Sequence, residues 1–345
     1  MPIAKRLPSG SYRCRLYIGT ETSFVNGVEK KKRIYKSFTA ASKKAAERMA
    51  LEYSADLEHE QENINNPTVG QAMDAYIQNR SAVLSPGTIR EYKRSRKNDL
   101  QGIMDIKLKN LTQEQIQVEI NKESLNHSPK TIRNMHGLLS SVLNAYRPDF
   151  ALKTDLPKKQ RSTLYIPSDS EIQTLMAYVK GSDMEIPILL AAFGPMRRGE
   201  IAALDSDHVN GNDVFVEYSL TLNENNKWVR KSPKSAAGKR HIIFPDFVAK
   251  KLQNINGSIT KLNPSMITDR FSDILDKSGL PHFRFHDLRH YCASAQHALG
   301  VPDAYIMARG GWEDDATLKK VYRHVLNDKN KMMNQKINEH FSSMI

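Results

Sequence analysis

The chain has 345 residues, a net charge of +13 and a pI near 9.5, which is length for two or three domains and a charge balance suited to a polyanionic partner, nucleic acid first. It shows no long apolar run and no hydrophobic leader, so the expectation is a protein that neither spans a membrane nor is secreted. Cys14 and Cys292 lie far apart with no CxxC motif, which fits a reducing cytosol and two buried apolar side chains rather than a disulfide framework.

The first 60 residues read as a small module. "SYRCRLYI" alternates Tyr12, Cys14, Leu16 and Ile18 on one face with Arg13, Arg15 and Tyr17 on the other, the pattern of a strand with one core side. "VNGVEKKKRIYKSF" gives a turn at Asn26-Gly27 and a second strand carrying Lys30, Lys31, Lys32 and Arg33. An Ala-rich helix follows. Residues 1–44 hold eleven Lys or Arg against only Glu21 and Glu29, and a short basic sheet backed by one helix fits a DNA major groove.

"EHEQENINNPTVG" is polar, contains Pro67 and reads as a linker. From 68 to about 150 the periodicity is helical. Thr112 and Gln115 have the spacing of a capping box, and Ile132, Met135, Leu139, Val142 and Tyr146 form one apolar stripe. "TIREYKRSRK" presents Arg90, Lys93, Arg94, Arg96 and Lys97, so the segment is expected to be a four- or five-helix bundle with a basic side. "ALKTDLPKKQRSTLYIPS" is a second linker. Beyond it Ser168 and Glu171 form another capping box ahead of Ile172, Leu175, Met176 and Val179 at helical spacing. "NDVFVEYSLTL", "NKWVRKSPK" and "KRHIIFP" are three expected strands joined at "NENN" and "SAAG", and the remainder is helical. The overall fold class is therefore multidomain and mainly α with small β-sheets.

Four features carry chemistry. In "FGPMRRGEIAALD", Pro195 suits the first turn of a helix, along which Arg197, Glu200, Ile201 and Leu204 follow at i, i+3, i+4 and i+7. The pair is either a partly buried ion pair or an arginine held for an anion, since a guanidinium fork matches phosphate oxygens. Lys234 stands where a strand enters a turn. "HDLRH" places His286 and His290 at a metal-binding spacing, but with Arg289 between them and no third ligand at an indicated distance. Trp312 precedes Tyr322 by ten residues, with Arg323 and His324 following.

The ordered set, Arg197 with Glu200, Lys234, His286 with Arg289, Trp312 and Tyr322, spreads over about 125 residues and resembles the tyrosine recombinase family, the phage and conjugative-transposon integrases. Pro195 stands where that family usually has glycine, and Trp312 where it more often has histidine. Lys231 and Lys239 flank the preferred lysine; with Arg198 and His290 they are assigned to DNA contact or structure.

The resemblance implies three domains: residues 1–60, a three-stranded sheet plus helix binding arm-site DNA; 67–152, helical, binding the core site; and 165–345, catalytic and mixed α/β, with a C-terminal tail helix. It implies that Tyr322 is the nucleophile, Arg197 and Arg289 hold the phosphate, Lys234 is the general acid, His286 moves protons, Trp312 donates to the phosphate and Glu200 orients the basic residues. No metal or ATP is required. The partners implied are double-stranded attachment-site DNA, four protomers on synapsed DNA, and an excisionase or host DNA-bending protein. A metal-dependent hydrolase, a non-catalytic DNA-binding regulator and a type IB topoisomerase are the competing readings. In the tail, Met333, Ile337, Phe341 and Met344 form a stripe that docks either on its own domain or on a neighbouring protomer.

Overall fold

A computed structural model describes residues 3–25, 28–159, 164–233, 236–315, 318–319 and 338–344. The chain divides into two compact units, Met1–Ala82 with Tyr92–Lys159, and Val83–Glu91 with Gln160–Ile345.

The first unit begins with β1 (Lys5–Arg6), β2 (Tyr12–Val25) and β3 (Val28–Ala40), an antiparallel sheet in the order β1-β2-β3, followed by α1 (Lys43–Asn65). The hairpin register brings Val25 opposite Val28, and the expected turn residues Asn26 and Gly27 lie outside the described residues. Cys14 packs with Ala46 and Ala50 of α1 as expected of an apolar cysteine. Ile18 does not join them: a bulge between Tyr17 and Gly19 breaks the alternation, and Ile18 is 41% exposed. The first expected linker is also largely absent, because α1 runs on to Asn65. Glu and Gln are good helix formers, and the helix stops only before Pro67.

Four helices follow: α2 (Val69–Asn79), α3 (Pro86–Asn98), α4 (Gln113–Ser124) and α5 (Pro129–Tyr146). The Thr112–Gln115 capping box forms in both directions, at 3.0 and 3.2 Å. Ile132, Met135, Leu139 and Val142 are buried along α5, whereas Tyr146 at its last turn is 36% exposed. The described part of the second linker at 151–159 forms no helix or strand, and its backbone at 151–155 is held by the side chains of Gln113 and Gln117 on α4.

In the second unit α6 (Asp169–Val179) starts at the expected Ser168–Glu171 box and leads to α7 (Glu185–Phe193) and α8 (Arg198–Ala203). Where three strands of one sheet are expected, five form two sheets. β4 (Val209–Asn210), β5 (Asp213–Val216) and β8 (Arg240–Ile243) make one, in that order, while β6 (Ser219–Leu222) and β7 (Trp228–Lys231) pair as a separate hairpin. The break falls at Glu217-Tyr218, which frees β5 to pair with β8. Helices α9 (Asp246–Leu252), α10 (Pro264–Ser278), α11 (Phe285–Ala298) and α12 (Asp303–Gly310) complete the unit. Its larger core cluster is contributed by α6 to α11 and the inward residues of β5 and β8, with Ile188, Leu190, Val214, Ile242, Phe271 and Leu288 fully enclosed, and Ala293, Ile306, Trp312 and Leu318 form a second.

Candidate active site

The site grows from the start of α8. A helix leaves its first amides without intrahelical partners, and here Glu200 turns back so that Oε2 accepts the Arg197 backbone N–H at 2.8 Å while Oε1 accepts from Arg197 Nη1 at 2.7 Å. The R-x-x-E spacing is thus a cap and an ion pair at once. Pro195 is not in the first turn of this helix as expected. The helix begins at Arg198, capped by Glu200, and the Pro195 carbonyl is left to accept a hydrogen bond from Arg289 Nη1.

Glu200 is 3% exposed and meets a second arginine. Arg240 on β8 grips it with both prongs, Nη2 to Oε2 at 2.8 Å and Nη1 to Oε1 at 3.2 Å. Burial alone would raise the carboxyl pKa, but the hydrogen bond and charge of Arg240, joined by Arg197, hold it down at about 2. The two arginines differ in access, for the Arg197 side chain is 40% exposed and that of Arg240 only 4%. Arg197 Nη2 also donates to the carbonyl of Gly311 at 3.1 Å, which ties α8 to the turn carrying Trp312.

Helix α11 presents His286, Arg289 and His290 on successive turns. Arg289 is 1% exposed, and its guanidinium lies 3.8 Å over the Trp312 ring. Beyond the bond to Pro195, its Nε and Nη2 are buried without a partner among the described residues. Burial first, then the nearby Arg197 charge, pull its pKa well below the ordinary arginine range, with Glu200 opposing. His286 is exposed at the surface, yet the protein crowded round its ring and the charges of His290 and Arg289 lower its pKa to about 4. It is therefore neutral at pH 7 and free to accept a proton.

His286 and His290 meet edge to face at 4.8 Å and 87°, and Asp287 accepts three hydrogen bonds from Arg284, from its backbone N at 2.8 Å, Nε at 3.1 Å and Nη2 at 2.7 Å. Among the described residues no three His, Cys, Asp or Glu side chains come together as a ligand set. An open cleft of about 860 Å³ is lined by Arg197, Arg198, Lys231 and Arg284, with Arg90, Glu91 and the neutral His286, so that cations outnumber the one carboxylate. Two guanidiniums, a neutral imidazole and this cationic wall are suited to holding a tetrahedral oxyanion and moving a proton near it.

Arg197, Glu200, His286, Arg289 and Trp312 are thus brought together. Lys234 and Tyr322 lie outside the described residues, as do Met333 and Ile337 of the tail stripe, while Phe341 and Met344 are 60% and 69% exposed. Of the neighbouring lysines, Lys231 ends β7 and lines the cleft, and Lys239 is drawn to Glu217 at 2.8 Å. Arg240 escapes the sequence reading. The signal was present, since "RHII" alternates buried and exposed, placing an arginine at an inward strand position that requires a buried partner.

The expected DNA-contacting residues fare unequally. Arg13, Arg15, Lys31 and Arg33 share the sheet face that α1 leaves uncovered, together with Tyr17 and Tyr35, whose rings meet at 5.7 Å. Lys32 alternates to the other face, and only the backbone of Lys30 is described. On α3, Lys93 and Lys97 are exposed, Arg90 meets Glu91 at 2.9 Å and Arg94 meets Asp99 at 3.7 Å. Arg96 turns into its own unit, to Asp74 and the Gly70 carbonyl, both at 3.1 Å, which makes it a structural residue of the bundle.

Residues 168–329 match the phage integrase family. A curated relative named integrase, from Saccharopolyspora erythraea, is 28% identical over 131 residues, covering 31% of this chain and 30% of its own length. The chain thus spans less than a third of that relative. Among solved structures, the integrase of transposon Tn1549 in complex with transposon right end DNA superposes with a TM-score of 0.66 at 14% identity, covering 79% of this chain and 99% of that one. A lambda integrase dimer bound to a core site superposes at 0.57 and 14% identity, covering 93% and 94%. A lambda integrase tetramer on a Holliday junction superposes at 0.54 and 13%, covering 91% and 96%. The solved structures share the fold of this chain, and the match to the phage integrase family lies in residues 168–329.

Proposed function

We propose that this chain is a site-specific DNA recombinase that integrates and excises a mobile element through a 3′-phosphotyrosyl intermediate. The observation that carries the reading is the Arg289 guanidinium, buried with two unpartnered nitrogens beside Arg197 and a neutral His286. Buried donors without partners mark a site completed by a ligand, and two arginines select an oxyanion.

In this reaction the hydroxyl oxygen of Tyr322 attacks the scissile phosphorus and the bond to the 5′-oxygen breaks. Lys234 delivers a proton to that leaving oxygen, and His286 takes up and returns the proton of the tyrosine. Arg197 and Arg289 stabilise the charge of the pentavalent transition state. A 5′-hydroxyl from the partner duplex then attacks the phosphotyrosine, restoring the phosphodiester and the tyrosine. Bond energy is conserved through both steps, so no ATP is consumed, and the guanidiniums supply the charge that a metal supplies in other phosphoryl transfers.

The exposed basic face of the sheet supports arm-site binding by residues 1–60, and residues 67–152 serve the core site. Exchange of strands between two attachment sites calls for four protomers, in the host cytoplasm, with an excisionase or DNA-bending protein setting direction. Among the described residues no helix is long and apolar enough to cross a membrane.

The test is covalent capture on a nicked suicide duplex in excess chelator. The wild-type chain is expected to form a protein–DNA adduct and Tyr322→Phe none. An adduct from Tyr322→Phe, or loss of the wild-type adduct in chelator, overturns the mechanism.

A further inference from the structure

Arg240 is the least exposed charged group at the site after Glu200, Asp287 and Arg289, at 6%. An arginine at that depth requires its donors to be matched. Four of its hydrogen bonds are identified, and they reach three separate pieces of the site. Nη1 and Nη2 hold the two oxygens of Glu200, whose other bonds fix the backbone and guanidinium of Arg197. Nε donates at 2.9 Å to the carbonyl of Arg309, in the last turn of α12 and three residues before Trp312. Nη1 donates again at 3.2 Å to the carbonyl of Gly238, in the turn that follows Lys234 in sequence.

Two of these pieces also meet each other and the Arg240 side chain sterically. Gly311 has a φ of +66°, and a Cβ there would come within 2.8 Å of the Ala237 carbonyl and 3.1 Å of Arg240 Nη1. The turn after α12, the turn before β8 and the Arg240 side chain therefore interlock at backbone contact distance. Two of the pieces bear on the proposed chemistry, Arg197 on the phosphate and Trp312 against Arg289, and the third follows Lys234 in sequence.

We propose that Arg240 is a positioning residue for DNA cleavage, which sets the Arg197 guanidinium through Glu200 and locks the turn before Trp312 and the turn at 236–238 to it. This rests on the recombinase reading above. With its donors engaged inside the protein, Arg240 acts on the register of the groups proposed to meet DNA. Misplacing a catalytic group by about 1 Å can cost 100-fold in rate. A lysine keeps the charge but not the two-pronged grip.

The experiment uses the full chain and a nicked suicide duplex carrying a site selected from a randomised DNA pool for binding to the wild-type protein. Single-turnover adduct formation at saturating DNA, normalised to folded protein, is measured beside the Kd for the same duplex and the Tm. For Arg240→Met we expect the cleavage rate to fall about 100-fold while Kd changes less than about threefold. For Arg240→Lys, which keeps the buried charge, we expect a fall of about tenfold and a Tm closer to wild type. The double variant Arg240→Met, Glu200→Gln should be no slower than the slower single variant, since both act through one chain of contacts. A structural role alone lowers Tm and the folded fraction but leaves the normalised rate untouched.

If the wild-type chain forms no adduct, the recombinase reading itself fails. If the wild type cleaves and both folded Arg240 variants cleave at its rate, or if the double variant multiplies the single effects, the positioning role is overturned. Should Arg240→Met not fold, Arg240→Lys decides alone, by the same normalised rate.

Discussion

At the residue scale the arginines of the site divide by access. Arg197 opens to the cleft, Arg289 is buried with donors unspent, and Arg240 is buried with donors engaged. Sequence spacing finds the first two because R-x-x-E and H-x-x-R are short motifs on single helices. It misses the third because its partner Glu200 is forty residues away in the chain. Trp312 also changes meaning. The resemblance assigns its indole N–H to the phosphate, whereas here the ring face lies 3.8 Å from the Arg289 guanidinium. A desolvated cation–π contact contributes about 2 kcal/mol. Trp312→Ala is therefore expected to slow single-turnover adduct formation by about 10- to 30-fold, while Trp312→Phe, which keeps a ring face, retains most of the rate. Equal losses in the two variants would return the role to the N–H.

At the scale of elements, the legible features are those written in adjacent residues. The Thr112 and Ser168 capping boxes, the α5 stripe and the strand alternation around Cys14 all appear where the sequence puts them. What fails depends on partners distant in the chain. A bulge turns Ile18 outward, and one expected sheet becomes two because β5 finds β8 rather than continuing into β6. The turn at Gly311 is of the same kind, for its need of glycine is set half by local backbone and half by Ala237. Its left-handed φ of +66° costs an L-residue about 1–2 kcal/mol before any contact is counted. Gly311→Ala should lower Tm and, by displacing the carbonyl that holds Arg197, reduce adduct formation per folded molecule. Thermal melting beside single-turnover cleavage checks both, and a wild-type normalised rate at reduced Tm would confine this glycine to stability.

At the scale of the whole molecule, the charge of +13 is not spread evenly in its consequences. On α3 basic side chains expected to meet DNA are drawn to carboxylates, Arg90 to Glu91, Arg94 to Asp99 and Arg96 to Asp74. On the N-terminal sheet Arg13, Arg15, Lys31 and Arg33 stand together on the face opposite α1, interleaved with Tyr17 and Tyr35, and Arg15 lies 4.7 Å over the Tyr35 ring. A cation held by an aromatic face keeps its charge for a phosphate while losing freedom, so this face is the better ordered electrostatic surface. Each phosphate contact releases condensed counterions, so log K against log salt has a slope of about −0.9 per contact. Arg13→Ala and Arg15→Ala should each weaken DNA binding and make that slope shallower by about 0.9. Arg48→Ala, on α1 and paired with Glu52 at 3.5 Å, removes the same formal charge and should leave the slope nearly unchanged. Titrations at several salt concentrations separate the two cases. If all three variants shift the slope alike, binding follows net charge and the sheet face has no special part in it.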